Sequence, residues 1–145
     1  VKGRVEIGAL RKYYFSDPGL RNARLNFAFP DEGQMLENIV YNELIYKGYT
    51  VNVGTFDTIE KDSSGKSIRK TNEIDFIANK GNRQYYIQVA ADISETSTME
   101  REQRPYMMIN DQIKKLIVIN KPIKESLSER GFTIIGITDF LLSYI

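Results

Sequence analysis

The sequence predicts an α/β domain in which a mixed central sheet carries helices on its faces. Three observations lead there. An apolar-rich helical stretch over residues 33–48 precedes three β-rich runs, the last two of these meet at Gly81-Asn82, and after a polar helix the short apolar run Lys114–Asn120 reads as a buried strand. The expected order is helix, three strands, helix, strand, strand, helix.

Residues 1–29 are mixed and read as an N-terminal appendage to a domain spanning 30–145. Lys12-Tyr13-Tyr14-Phe15 has the composition of a short strand, Ser16-Asp17-Pro18-Gly19 is turn chemistry that also caps helices, and Leu20–Leu25 can supply the helix. Asp31 then serves as N-cap and Gly48 as C-terminal stop of GQMLENIVYNELIYKG. Met35, Leu36, Ile39, Val40, Tyr41, Leu44 and Ile45 surround its axis, so this helix is expected to pack on more than one side. Tyr49–Phe56 alternates as a strand does, Asp62-Ser63-Ser64-Gly65-Lys66 is a loop, and Lys70–Ala91 makes two strands about Gly81-Asn82.

Ser94 or Thr96 can cap the next helix, Glu100-Arg101-Glu102-Gln103-Arg104 is its polar surface, and Pro105 is expected to end or kink it near Arg104. Beyond the buried strand, Lys121–Arg130 reads as a loop with a helical turn and Thr133–Ile137 as a further strand. Asp139 caps a terminal helix that docks through Phe140, Leu141 and Leu142.

Composition bounds the chemistry. At 145 residues, with 41% hydrophobic and 27% charged side chains, the chain has the size and make-up of one soluble globular domain. No apolar run reaches the roughly 18 to 20 residues of a spanning helix and no charged-then-apolar leader opens the chain, so a cytoplasmic location is expected. Zero cysteines exclude disulfides and thiolate metal sites, and zero histidines remove the usual neutral-pH base and transition-metal ligand. Any metal must be held by oxygen, which selects Mg²⁺, Mn²⁺ or Ca²⁺. A net charge of +1 carries no nucleic-acid signature by itself, so such a reading needs a local patch. Lys66, Arg69 and Lys70 with Lys80 and Arg83 supply one candidate, a basic rim at the sheet end. The chain opens on Val1 rather than methionine, as a fragment of a longer protein does.

The candidate site follows from counting. With Gly81-Asn82 as the hairpin loop, Lys80 faces Arg83, and a constant index sum brings Asp75 opposite Gln88, with Ala90 on the face of Gln88. An acid and an amide paired in apolar strands conflict with burial, and such conflicts tend to mark functional positions. The structural alternative is a buried cross-strand bond in which Gln88 donates to the Asp75 carboxylate. On the preceding helix Glu37 projects beside Val40, Tyr41 and Leu44, and Glu43 beside Leu36 and Ile39. Spacing does not choose between these two carboxylates, and for either the bland reading is a snorkelling rim glutamate.

A helix glutamate, then Glu-Ile-Asp-Phe at 73–76, then a strand ending Tyr-Tyr-Ile-Gln-Val-Ala at 85–90 resembles the PD-(D/E)xK nuclease superfamily, whose restriction-endonuclease-like core runs αβββαβ. More narrowly, KYYFSDPGLRNA, LENIVYNEL, KGYTVNVG, EIDFIA, YYIQVA and REQRPYMMI resemble the domain of unknown function found C-terminal to AAA-type ATPase modules, over the chain from about Lys12 onward. In that superfamily a helix glutamate, a strand aspartate and an acidic residue two positions before a lysine hold Mg²⁺, and metal and lysine together activate water. The resemblance puts Glu37, Asp75, Gln88 and Ala90 at those positions. Two match and two depart, since Gln88 brings an oxygen without a charge and Ala90 removes the cation.

The resemblance therefore implies a degenerate, catalytically inactive nuclease-like domain, the nucleic-acid or protein recognition module of an AAA-type ATPase. Its partners would be that ATPase module and DNA, with no membrane and no cofactor, or Mg²⁺ if the site is active. One alternative is an Mg²⁺-dependent DNA nuclease using Glu37, Asp75 and Gln88 with a relocated lysine, for which Lys114, Lys115 and Lys70 are candidates. Another is a protein-interaction scaffold. No Walker motif occurs in the chain, so ATP binding is not expected of it.

Overall fold

Gly81 reverses the chain at the centre of the fold, and its φ of 58° is a conformation that glycine adopts without a Cβ penalty. This computed structural model describes residues 12–27, 31–61, 65–92, 96–109 and 111–145. The turn joins β2 (Ser67–Lys80) to β3 (Arg83–Ala90) in the expected register, from Lys80 opposite Arg83 to Phe76 opposite Ile87. β1 (Thr50–Lys61) pairs antiparallel along the whole of β2, with an irregularity between Asn52 and Gly54. β3 pairs parallel with β4 (Lys114–Ile119), and β4 pairs parallel with β6 (Thr133–Gly136). A two-residue strand, β5 (Ser126–Leu127), closes the far edge antiparallel to β6. The protein is thus α/β, with a six-stranded mixed sheet in the order β1-β2-β3-β4-β6-β5.

Helix α1 (Pro18–Arg24) starts where the Asp17 carboxylate accepts from the Gly19 and Leu20 amides. Helix α2 (Glu32–Tyr46) is capped by Asp31, which accepts from the Gln34 amide at 3.2 Å, and closes where the Tyr49 amide reaches the Leu44 carbonyl across Gly48. Leu36, Val40 and Leu44, four residues apart, form the stripe that α2 buries. They pack with Phe76, Ile87, Val89, Leu116, Val118 and Phe140 on one face of the sheet. Each such burial stabilises by roughly 1.5–3 kcal/mol. The expectation of a helix covered all round holds only in part, because Ile45 is 47% exposed. On the other face α3 (Thr96–Met107) brings Tyr106 against Ile74, Ala90, Ile117, Ile119 and Phe132.

Several boundaries differ from expectation. Pro105 does not end α3 at Arg104; the helix runs on to Met107, because a proline forfeits one backbone bond while Tyr106 is buried and its hydroxyl donates to the Leu116 carbonyl at 2.6 Å. The cap candidate Ser94 lies outside the described residues, as does 62–64 of the predicted loop. Lys12–Phe15 is not a strand, since it pairs with side chains of α2 instead of a sheet edge. The stretch 121–130 holds β5 where a helical turn was expected. The final strand stops at Gly136, and Asp139 caps nothing; it sits in helical conformation at the end of α4 (Ile137–Asp139), which runs on as a π-helix over Phe140–Tyr144. Gly136 is dictated by space, because a Cβ there would lie 2.1 Å from the Lys121 carbonyl oxygen. Among the described residues no helix is long and apolar enough to cross a membrane.

Candidate functional site

Burial of the 36/40/44 stripe turns the next residue, Glu37, to the rim of α2, above the place where β2 and β3 separate. The backbone ladder between those strands stops at Phe76 and Ile87. One step further, side chains take over: the Asp75 amide donates to Gln88 Oε1 at 2.8 Å, and Asp75 Oδ2 accepts from the Val89 amide at 2.9 Å. Asp75 and Gln88 are therefore neighbours as counted, but the expected direction is reversed at this contact, with the Gln88 oxygen accepting from the Asp75 backbone. Glu37, Asp75, Gln88 and Ala90 line one open hollow of about 510 Å³ together with Asp31, Gly33 and Gln34.

The cation at this site comes from the segment read as an appendage. Lys12 Nζ lies 3.1 Å from Asp75 Oδ1, 3.2 Å from Glu37 Oε2 and 2.5 Å from Glu73 Oε1. The Tyr14 hydroxyl donates to the same Glu37 oxygen at 3.3 Å. Residues 12–16 lie along α2 as a strap. The Asn38 side chain bonds both the N–H and the C=O of Phe15, Asn42 adds bonds to the Phe15 and Ser16 carbonyls, and the Tyr14 ring stacks on Tyr41 with centroids 4.3 Å apart.

Charge and burial oppose one another here. Burial would lower the pKa of the Lys12 ammonium, but the Glu73 hydrogen bond and the charges of Asp75 and Glu37 outweigh it and raise the pKa. Burial first, then the Glu37 charge, push Asp75 up to about 6, against the pull of Lys12 and of the Val89 amide. Tyr14 is raised by burial and by the adjacent Glu37 charge.

The remaining predicted residues disperse. Lys114 pairs with Glu125 and lies over the Tyr144 ring, and Lys115 pairs with Asp111, so neither is the cation at the acidic pair. Lys70 lies far along β2, opposite Thr58. Glu43 forms an ion pair with Lys47 at 3.4 Å, near the C-terminal end of α2. The proposed basic rim divides. Lys66, Arg69 and Lys70 stand at one end of β2 and Lys80 and Arg83 at the other, and about 11 residues of strand, on the order of 35 Å, separate the groups. Arg69 is held by Asp57, and Lys80 donates to the Lys47 carbonyl at 2.7 Å.

Ala90, at the position where the resemblance expects a lysine, is buried among Ile74, Tyr106, Ile117 and Ile119. Sequence reasoning missed Lys12, Tyr14 and Glu73. Strand alternation was the available signal for Glu73, two residues before Asp75 and so on its side of β2. No periodicity tied Lys12 to the sheet.

Mg²⁺, which the resemblance implies, does not fit the donors as they stand. Asp75 Oδ1 and Glu37 Oε2 both face the Lys12 ammonium, and Gln88 Oε1 faces the Asp75 amide. Among the described residues no group of three or more His, Cys, Asp or Glu side chains is arranged to hold an ion.

Comparison with known proteins adds one relative. An uncharacterized protein of Haemophilus influenzae is 31% identical to the chain over 142 residues, 98% of this chain and 31% of that protein. The chain thus spans about a third of that relative's length. No family model and no solved structure matches.

Proposed function

We propose that the chain is a restriction-endonuclease-like domain whose αβββαβ core, α2-β1-β2-β3-α3-β4, keeps the frame of a nuclease site without its chemistry, and that it serves as a recognition module of an AAA-type ATPase. The observation that carries this reading is the Lys12 ammonium seated among Glu37, Glu73 and Asp75. A tethered cation offsets part of the charge of these carboxylates from within the chain, where a dissociable metal would need the same oxygens. The apolar packing of Ala90 supports it further, since that position offers neither charge nor ligand. The greater length of the Haemophilus influenzae relative supports reading the chain as one part of a larger protein.

A second reading draws on the same observation. Lys12 is a lysine brought to the acidic pair from elsewhere, as a Mg²⁺-dependent nuclease with a relocated lysine requires.

One experiment separates the two: calorimetric titration of Mg²⁺ and Mn²⁺ into the wild type, Asp75→Ala and Lys12→Met, with plasmid nicking assayed on the same samples. The silent reading expects no nicking from any of the three. Nicking by the wild type that disappears in both variants overturns it and establishes the enzyme.

A further inference from the structure

A second cavity, of about 400 Å³, opens between the strap, α1 and the first turns of α2, and is lined by Lys12, Tyr13, Tyr14, Arg21, Gln34, Met35, Glu37 and Asn38. Its volume lies within the range typical of small-molecule sites. Arg21 lines it. The guanidinium touches only neutral acceptors, Asn22 Oδ1 and Gln34 Oε1, each at 3.2 Å, and among the described residues it forms no ion pair. Two of its five N–H donors are thereby used, and the rest of the fork remains available to an oxyanion. Glu37, also in the lining, already accepts from Lys12 and from Tyr14. A carboxylate so placed disfavours a second anion beside it but tolerates a neutral, hydroxyl-bearing group. Beside them stands the Tyr13 ring, 78% exposed. A guanidinium with donors to spare, an exposed aromatic ring and a hydrogen-bonded carboxylate in one cavity match the parts of a nucleotide: phosphate, base and sugar.

We propose that this cavity binds a nucleoside phosphate, with the phosphate on Arg21 and the base against Tyr13. The inference rests on the recognition reading above and names its ligand class. The phosphate has two sources, a free nucleoside monophosphate or the phosphorylated end of a single strand. Of the cations first suspected of nucleic-acid contact, Arg69 is held by Asp57 and Lys80 by a backbone carbonyl.

The test is fluorescence anisotropy in EDTA with 3′-labelled oligothymidine of eight residues, carrying either a 5′-phosphate or a 5′-hydroxyl. The wild type is compared with Arg21→Ala, Tyr13→Ala and, as control, Lys124→Ala. Tyr13 and Arg21 lie outside both apolar clusters, so these variants should melt with the wild type. Binding of the phosphorylated strand at least tenfold tighter, loss of that preference in Arg21→Ala, and about tenfold weaker binding of both strands by Tyr13→Ala are expected. Competition by thymidine monophosphate identifies the free nucleotide as ligand, and competition by the phosphorylated strand alone identifies the strand end.

Equal affinity for the two strands, a preference that survives in Arg21→Ala, or equal competition by an acidic peptide overturns the proposal. EDTA keeps the outcome apart from that of the nicking assay. Nicking with an intact Arg21 dependence would sink catalytic silence alone, whereas loss of the Arg21 dependence without nicking would sink the cavity alone.

Discussion

The side-chain amide of Asn38 closes two hydrogen bonds on the backbone of Phe15, accepting from its N–H at 2.8 Å and donating to its C=O at 2.7 Å. A buried asparagine on α2 thus does for the strap what a neighbouring strand would do, and holds Lys12 within reach of Asp75. Asn38→Ala removes both bonds and leaves the Phe15 N–H to find water, while the Phe15 carbonyl keeps its bond from Asn42. A loss of about 1–3 kcal/mol in urea unfolding is expected, with faster hydrogen exchange at the Phe15 amide. Unchanged exchange there would mean that the strap is held by other contacts.

Lys12→Met leaves Glu37, Glu73 and Asp75 facing one another without the cation that joins them. Removing one partner of a buried pair typically destabilises by about 3–5 kcal/mol, but the Lys12 side chain is 30% exposed and solvent screens part of this, so about 1–3 kcal/mol is expected at pH 7. The loss should shrink as pH falls through about 6, where Asp75 takes up a proton. A loss independent of pH would point to the packing of the lysine stem instead of its charge.

Asp75 sets a pH dependence of its own. Its carboxyl is at about 6 in the folded protein against 3.8 for an unperturbed aspartate. Below pH 4 both states hold the proton. Between pH 4 and 6 the folded state keeps a proton that the unfolded state has released, so this contribution to stability is lost as pH rises and levels off above about pH 6. Two pH units correspond to on the order of 2–3 kcal/mol. Subtracting urea-unfolding stabilities of Asp75→Ala from those of the wild type at pH 4 to 7 should reveal the slope. A flat difference would refute the assignment. Lys12, raised from a higher starting value, stays charged over this whole window and loses its proton only in strong alkali.

Gly136→Ala tests the closeness of the 121–123 segment to the end of β6. The new methyl group would meet three backbone atoms, the Lys121 oxygen at 2.1 Å, the Ile123 oxygen at 2.7 Å and the Ile123 nitrogen at 2.9 Å. Backbone on both sides cannot move as a side chain can. A loss of more than about 3 kcal/mol is expected, seen as a much lower melting temperature or insoluble expression. A variant as stable as the wild type would show that this crossing relaxes easily.

Most of the sheet was legible because its signals are local. The Gly81-Asn82 corner set the register, alternation marked β1, runs rich in β-branched and aromatic residues marked β2 and β3, and a continuous apolar run marked β4. Asp31 and Gly48 bounded α2 as their capping chemistry suggests. Pro105 misled because the local penalty of a proline was overridden by the burial of Tyr106 one residue later. At the site, the hairpin register paired Asp75 with Gln88 and set Ala90 on the face of Gln88, while Glu37 was singled out by the resemblance, since helix spacing does not choose between it and Glu43. Lys12 was missed for the opposite reason. Its contact with Asp75 spans 63 positions and depends on Asn38 and Asn42 gripping a stretch of irregular backbone, for which no repeating pattern exists.

The strap that delivers Lys12 leads into α1, a helix that buries no residue. Segments with few buried apolar contacts detach at a lower free energy than the sheet they lie on. The pairing of Lys12 with the acidic cluster is therefore subject to a local opening equilibrium, separate from global unfolding. Each time the strap lifts, three carboxylates lose their common cation at once and the hollow beside Gln88 becomes a concentrated negative patch. A ligand that holds residues 12–27 against α2 would favour the closed arrangement, in which Lys12 keeps its contacts with Glu37, Glu73 and Asp75.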